Sequence, residues 1–375
     1  MPSTTGILRL IPLAVILFVL LPSAALGNGI GTIFVVSPEA GRVTVFERTS
    51  HSVVATLDVG QGPHGVAFSP DTFTAFVASS AGHLAQIDRD RYEVVAGIPT
   101  GGAPSHLAVA PTGQRVYFTD RSAPTLSIME LVGQGGRKQV SLASPGHGLA
   151  VSTDDRRIYV AVPESATLPA VDPSSGQIVS QIPVGTGATH LAFSPDGGWL
   201  YVLRPEAGSV EVVDPRNDTV VTSIPVGPGT TDLAFAPDGR QALVSGASPN
   251  QLTVIDATTH RLVTRHALPV PDTATGVAID DGYGYLAVPT QNRVYVLEKT
   301  GWSVVRQMEA DRPDSITTVP DPFILRVIPR ELPNTGAGAL ASLKETQEPQ
   351  EVVLAAIALI LLLGLTLIGR RLARS

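Results

Sequence analysis

Four of the eight histidines in this 375-residue chain, His64, His106, His147 and His190, stand just before corresponding strand-like runs of a repeating unit. Asp232 holds the matching place in the next unit, and Asp314 lies close to it in the last. Imidazoles ligate metals and shuttle protons, so four of them with two carboxylates on one face would make a candidate ligand-binding set. Short polar side chains in such places also serve simply to hydrogen-bond neighbouring units and channel water. No catalytic residue is assigned: the sequence holds no G-x-S-x-G elbow, no selectable Ser–His–Asp set and no cysteine. No metal and no cofactor are assigned either, because acidic residues suited to orient metal-bound imidazoles do not lie between the histidines.

The elements that position these residues follow from three ladders. One runs through Val66, Leu107, Leu149, Leu191, Leu233 and Val277, within segments such as "HLAFSPDG" (190–197). A second is Phe34, Phe76, Tyr117, Tyr159, Tyr201, Leu243 and Tyr285; a third is Glu47, Asp88, Glu130, Asp172, Asp214, Asp256 and Glu298. The last two advance by 41 or 42 residues at every step. Each period holds four strand-sized runs, for example "HLAFSP", "WLYVLRP", "SVEVVDP" and "TVVTSIPVG", with turn chemistry such as Ser194-Pro195-Asp196-Gly197 between them. Four antiparallel strands per period of this length are the signature of a β-propeller blade. The acidic ladder precedes the outer turns, where its carboxylates are expected to accept backbone N–H groups rather than meet at the axis.

The expected fold is all-β: a seven-bladed β-propeller of four-stranded antiparallel blades, followed by a single C-terminal transmembrane helix. The first ladder lacks a member in the first unit. "DSITTVPD" (314–321) supplies it, with Ile316 in the place of Val66. Residues 30–59 should therefore give three strands of one blade and residues 314–320 its innermost strand, which removes two open sheet edges. Residues 323–328 are left without an assignment.

Residues 1–27 read as a signal peptide, with Arg9, an apolar stretch to about Leu21 and small residues at Ala25-Leu26-Gly27. The propeller is expected over 28–328, a linker over 329–351, a transmembrane helix over 352–369 and a basic cytoplasmic tail over 370–375. Eighteen apolar residues span about 27 Å, enough for a bilayer core, and Arg370, Arg371 and Arg374 put that end in the cytoplasm. Between the apolar ends, 22 Lys and Arg face 33 Asp and Glu, a formal charge of −11 that argues against nucleic acid as a partner. Asn217-Asp218-Thr219 fits a glycosylation acceptor, and Trp199 and Trp302 are too few for an aromatic glycan platform.

Stretches such as "ATHLAFSPDGGWLYV" (188–202), "VEVVDPRNDTVVTSIPVG" (210–227) and "LTVIDATTHRLVT" (252–264) resemble the YVTN-type, YncE-like β-propeller repeat family over residues 30–320. The resemblance implies the fold and a secreted or surface-displayed protein. Leu332-Pro333-Asn334-Thr335-Gly336 resembles the LPXTG sorting signal of sortase-anchored surface proteins of Gram-positive bacteria. That resemblance implies cleavage between Thr335 and Gly336 by a sortase and attachment to the cell wall. A plain linker to a permanent membrane anchor is the alternative, because fifteen residues separate the motif from the apolar span. Either way the propeller faces outward. The expected function is a surface binding module for an extracellular protein, glycan or cell-wall component. The alternative is an extracytoplasmic lyase, lactonase or redox enzyme using the histidine-lined mouth.

Overall fold

Strand-sized apolar runs separated by Pro-, Asp- and Gly-containing turns leave the chain little choice but short antiparallel hairpins. The computed structural model describes residues 31–132, 136–246, 250–268, 270 and 272–319. These residues form seven four-stranded antiparallel sheets. Blade 1 joins Thr32–Ser37, Arg42–Glu47 and Val53–Asp58 to Ser315–Val319, while blades 2 to 7 occupy residues 63–99, 104–141, 149–183, 190–225, 230–267 and 276–309. The composite blade is thus present: Val35 pairs with Ile316 and Phe34 with Thr317 in an antiparallel ladder.

Burial follows from the stacking. The second and third strands of a blade, such as Leu200–Arg204 and Ser209–Asp214, are buried at nearly every position, whereas the outer strand Gln177–Pro183 alternates in and out of solvent. A four-stranded sheet with two apolar faces needs a neighbour on each side. The core is accordingly divided into clusters shared by consecutive blades. Tyr117 and Leu126 of blade 3 pack with Ile158 and Val160 of blade 4. Tyr285 and Val294 of blade 7 pack with Ile33 and Ile316 of blade 1, which closes the circle.

The second ladder explains itself at these interfaces. Each of its members is buried, and at several the far end meets a turn of the next blade. The Tyr159 hydroxyl donates to Asp218 at 2.9 Å, and the Tyr201 hydroxyl lies 2.8 Å from His260 Nδ1. Asp218 and His260 hold the same left-handed position of successive outer hairpins, at φ 54° in both. In blade 7 that position is Trp302, which packs with Leu243 of blade 6; in blade 2 it is Tyr92, packed in the cluster of Phe34. At these boundaries Tyr159 and Tyr201 therefore meet a polar turn residue, whereas Phe34 and Leu243 meet an aromatic one. Tyr117 and Tyr285 depart from this: the counterpart at Tyr117 is Gly176 and its hydroxyl donates to Asp155 at 2.7 Å, while the Tyr285 hydroxyl donates to Asp280 of its own blade at 2.8 Å.

The third ladder caps turns, as expected. Asp172, Asp214 and Asp256 each accept the backbone N–H two residues on, at 2.9, 3.0 and 2.9 Å. Glu130 differs, pairing with Arg115 at 3.0 Å, and Glu298 accepts the Ser303 hydroxyl.

The expected signal peptide, the linker with LPNTG, the 352–369 helix and the basic tail lie outside the described residues. Among the described residues, no helix is long and apolar enough to cross a membrane.

Candidate functional site at the channel mouth

The innermost strands begin at one end of the central channel, and two residues per blade set its mouth there. The residue two before the first-ladder position is His64, Ser105, His147, Thr189, Thr231, Thr275 and Asp314, taken from blade 2 round to blade 1. The residue one before it is Gly65, His106, Gly148, His190, Asp232, Gly276 and Ser315. The glycines have a steric reason. A Cβ on Gly148 would stand 2.6 Å from the Thr189 carbonyl oxygen, and one on Gly276 would stand 2.4 Å from that of Asp314. Both contacts are with the backbone of the next blade, so only glycine permits this approach.

That approach is stitched by hydrogen bonds running round the mouth. The Thr119 hydroxyl donates to the His147 carbonyl at 2.8 Å, and Gly148 N–H donates to the Thr189 carbonyl at 2.8 Å. Thr231 and Thr275 donate to the carbonyls of Ala274 and Asp314 at 2.6 and 3.0 Å. Part of the polar mouth is therefore structural, as the plainer sequence reading held.

All six sequence-selected residues, His64, His106, His147, His190, Asp232 and Asp314, line a single cavity of about 610 Å³. Three of the histidines lie within strands rather than in the loops before them. In blades 2 and 3 a bulge at the strand entry, between Pro63 and Val66 and between Pro104 and Leu107, re-aims the side chain.

Not all four histidines group together. His106, His147 and His190 come from three consecutive blades, with ring centroids 4.3 Å (106–147), 4.9 Å (147–190) and 5.6 Å (106–190) apart. Gly148 contributes on the blade 5 side: a Cβ there would stand 3.2 Å from His190 Cα, so its absence lets His190 come up to His147. His64 stands apart, its Nε2 lying 2.7 Å from Arg121 Nη1. Arg121, Ser105 and Thr189 were missed from the sequence. Ser105-His106 and Thr189-His190 share a hydroxyl–histidine pattern that could have exposed two of them. Arg121 stands where four other repeats have proline (Pro38, Pro163, Pro205 and Pro289), so the repeat pattern gives no sign of it.

The electrostatics follow from burial. It pushes His106 well below the ordinary imidazole range, helped by the neighbouring His147 and His190. It pushes His147 and His190 down to about 4 and lowers His64 too, with Arg121 adding to the shift. Burial has the opposite effect on a carboxylic acid. It raises Asp232 to about 6, although this side chain accepts the N–H groups of Leu233 (2.8 Å) and Val277 (3.0 Å). At neutral pH the mouth thus presents neutral imidazoles, the Arg121 cation and two carboxyl groups, an arrangement suited to holding a small polar ligand. Trp302 is buried and Trp199 sits under Arg216, so neither offers an open aromatic platform.

Fold and site together define a seven-bladed propeller with a polar, histidine-rich channel mouth. Within that class, the chain belongs to the YncE-like β-propeller family, whose model matches residues 67–281. No curated protein matches it. Among solved structures, a protein of unknown function from Desulfotomaculum acetoxidans is similar over 77% of this chain and 99% of its own, at 16% identity and a TM-score of 0.67. The periplasmic gluconolactonase PpgL of Pseudomonas aeruginosa is similar over 78% and 100%, at 17% identity and a TM-score of 0.65. Hydrazine synthase of Kuenenia stuttgartiensis is similar over 72% and 92%, at 17% identity and a TM-score of 0.62. At such identities the likeness is one of fold alone.

Proposed function

We propose that this protein is a surface-displayed binding module that takes a small polar extracellular ligand, a glycan end or cell-wall component, at the channel mouth. The observation that carries this is the cavity of about 610 Å³, which unites Arg121 with Asp232, Asp314 and four histidines. Its volume falls in the range of about 300–1,000 Å³ usual for small-molecule sites. Opposite charges on facing walls suit a ligand rich in hydroxyl, amide or zwitterionic groups better than an apolar one. Calorimetric titration of the full chain with muropeptides and oligosaccharides tests this reading. Saturable binding weakened at least tenfold by Arg121→Ala and by Asp314→Asn supports it; no saturable binding, or binding indifferent to both changes, ends it.

Display at the cell surface is part of the same proposal. The apolar leader, Leu332–Gly336, the 352–369 span and the terminal arginines occur in the order that export and sortase anchoring require. Cells carrying a sortase should release the protein on muramidase digestion, and Leu332→Ala should move it to the membrane fraction. Membrane retention of the unsubstituted chain would favour a permanent helical anchor, with the propeller still outside.

A lactonase-type enzyme is the second reading. It is favoured by the imidazoles and the His64–Arg121 pair in the cavity, alongside the shared fold with a protein described as a gluconolactonase. Turnover of gluconolactone, lost in His64→Ala, would put it first.

A further inference from the structure

We propose that His106, His147 and His190 form a three-imidazole site for a divalent first-row transition ion, Zn²⁺ or Cu²⁺, with its remaining coordination position open to the channel. One ring nitrogen from each histidine can be chosen so that all three lie within 4.8 Å of one another. An ion holding imidazole nitrogens at about 2.0–2.1 Å in tetrahedral geometry needs them about 3.3 Å apart, so modest ring rotations complete the site.

The orientation of the rings supports this more than their proximity does. Each Nδ1 already has a partner at the rim. His147 Nδ1 lies 3.0 Å from the Thr189 carbonyl oxygen, which can only accept, so this nitrogen carries the proton. His106 Nδ1 lies 3.0 Å from the Ser105 hydroxyl and His190 Nδ1 lies 3.2 Å from the Thr189 hydroxyl, both of which can turn to accept. That leaves Nε2 of all three rings as the lone-pair nitrogen, with no hydrogen-bond partner among the described residues. Metal-bound histidines characteristically donate their other N–H to a carbonyl, carboxylate or water. Here a carbonyl and two hydroxyls do the work for which the sequence offered no carboxylate.

The donor set selects the ion. Three neutral imidazoles without a carboxylate suit Zn²⁺, Cu²⁺ or Ni²⁺ and disfavour Mg²⁺ or Ca²⁺, which prefer oxygen ligands. Three protein ligands plus a vacant position are the arrangement of sites that bind water or substrate on the metal. His64 is held by Arg121 and stands outside the triad. The site shares the mouth with the proposed ligand pocket but does not depend on that reading.

The test is metal uptake by the full chain after chelator dialysis, with Zn²⁺ and Cu²⁺ as probes. One equivalent should bind. His106→Ala and His190→Ala should each weaken binding at least 100-fold, and Thr189→Val, which removes only an orienting hydroxyl, about tenfold. His266→Ala, which alters a histidine of the outer strand Arg261–Ala267, should leave it within threefold. Should the triad variants fold poorly, the electron paramagnetic resonance spectrum of the Cu²⁺-loaded unsubstituted protein decides, showing three equatorial nitrogens. No stoichiometric uptake, equal uptake by the His106→Ala/His190→Ala double variant, or fewer than three nitrogens would overturn the proposal. Muropeptide binding measured on metal-free and loaded protein separates failure of this site from failure of the ligand pocket.

Discussion

The Tyr159 hydroxyl donates to the Asp218 carboxylate, 2.9 Å away, across the boundary between blades 4 and 5. The ring of Tyr159 is fully buried, so its hydroxyl has to find a partner or lose water without compensation. Tyr159→Phe should cost about 1.5–3 kcal/mol, the range for a hydrogen bond to a charged group. A double-mutant cycle with Asp218→Gly, a change compatible with the left-handed backbone at φ 54°, should show coupling of about 1 kcal/mol. Urea melts measure both, and additive losses would mean that the bond contributes nothing specific.

Ring closure is the second point of leverage. Without Ser315–Val319, Thr32–Ser37 loses the ladder that pairs Val35 with Ile316, and blade 7 loses Ile316 from the apolar cluster it shares with blade 1. Ile316→Ala should cost about 2–4 kcal/mol, as for other large-to-small core changes. Removing everything from Asp314 onward should abolish cooperative melting. A soluble 28–312 fragment with a single sharp transition would contradict this.

Two glycines separate crowding from backbone strain. Gly148→Ala brings a Cβ to 2.6 Å from a carbonyl oxygen, whereas Gly187→Ala meets no atom within 4 Å but must hold φ +84°. The first should cost about 3 kcal/mol or more through forced backbone movement, and the second about 1–2 kcal/mol. The first should also part His147 from His190. Thermal melts of the two variants, with a crystal structure of Gly148→Ala, check the order.

Asp232 predicts a pH dependence. Its folded value, raised to about 6 from an ordinary 3.8, means that the folded protein favours the protonated acid. The corresponding stability is fully present below pH 4, falls between pH 4 and 6, and is gone above pH 6. By linkage the loss is at most about 3 kcal/mol, since cavity water screens the group. Asp232→Asn removes the titration. Its stability relative to the unsubstituted protein should therefore rise with pH across that window, whatever its offset. A flat difference from pH 4 to 7 would show an unshifted carboxyl.

Much of the architecture was legible in the sequence because its repeated positions are structural. Val66 and its counterparts line the channel, Phe34 and its counterparts fill blade boundaries, and Asp172, Asp214 and Asp256 cap turns. Ile316 could be matched to Val66 because strand closure reuses the same pattern. The site was legible only as a set of residues on one face. That His106, His147 and His190 meet while His64 turns to Arg121 depends on bulges, on the missing Cβ of Gly148 and on an arginine in a turn where four other repeats have proline. None of these leaves a periodic trace. The acid partners expected for a metal-bound histidine were absent from the sequence, yet Thr189 and Ser105 occupy their places.

The alternation of glycine and side chain around the mouth has a consequence rooted in parity. A cycle with an odd number of members cannot be two-coloured, so one neighbouring pair must break the pattern. That mismatch falls between His190 and Asp232, where two side chains stand side by side. The opening is lopsided in chemistry too, with imidazoles from blades 2 to 5 along one arc and the carboxyl groups of Asp232 and Asp314 along the other. An even-numbered ring could have repeated the glycine spacing without a seam; a ring of seven has to carry one.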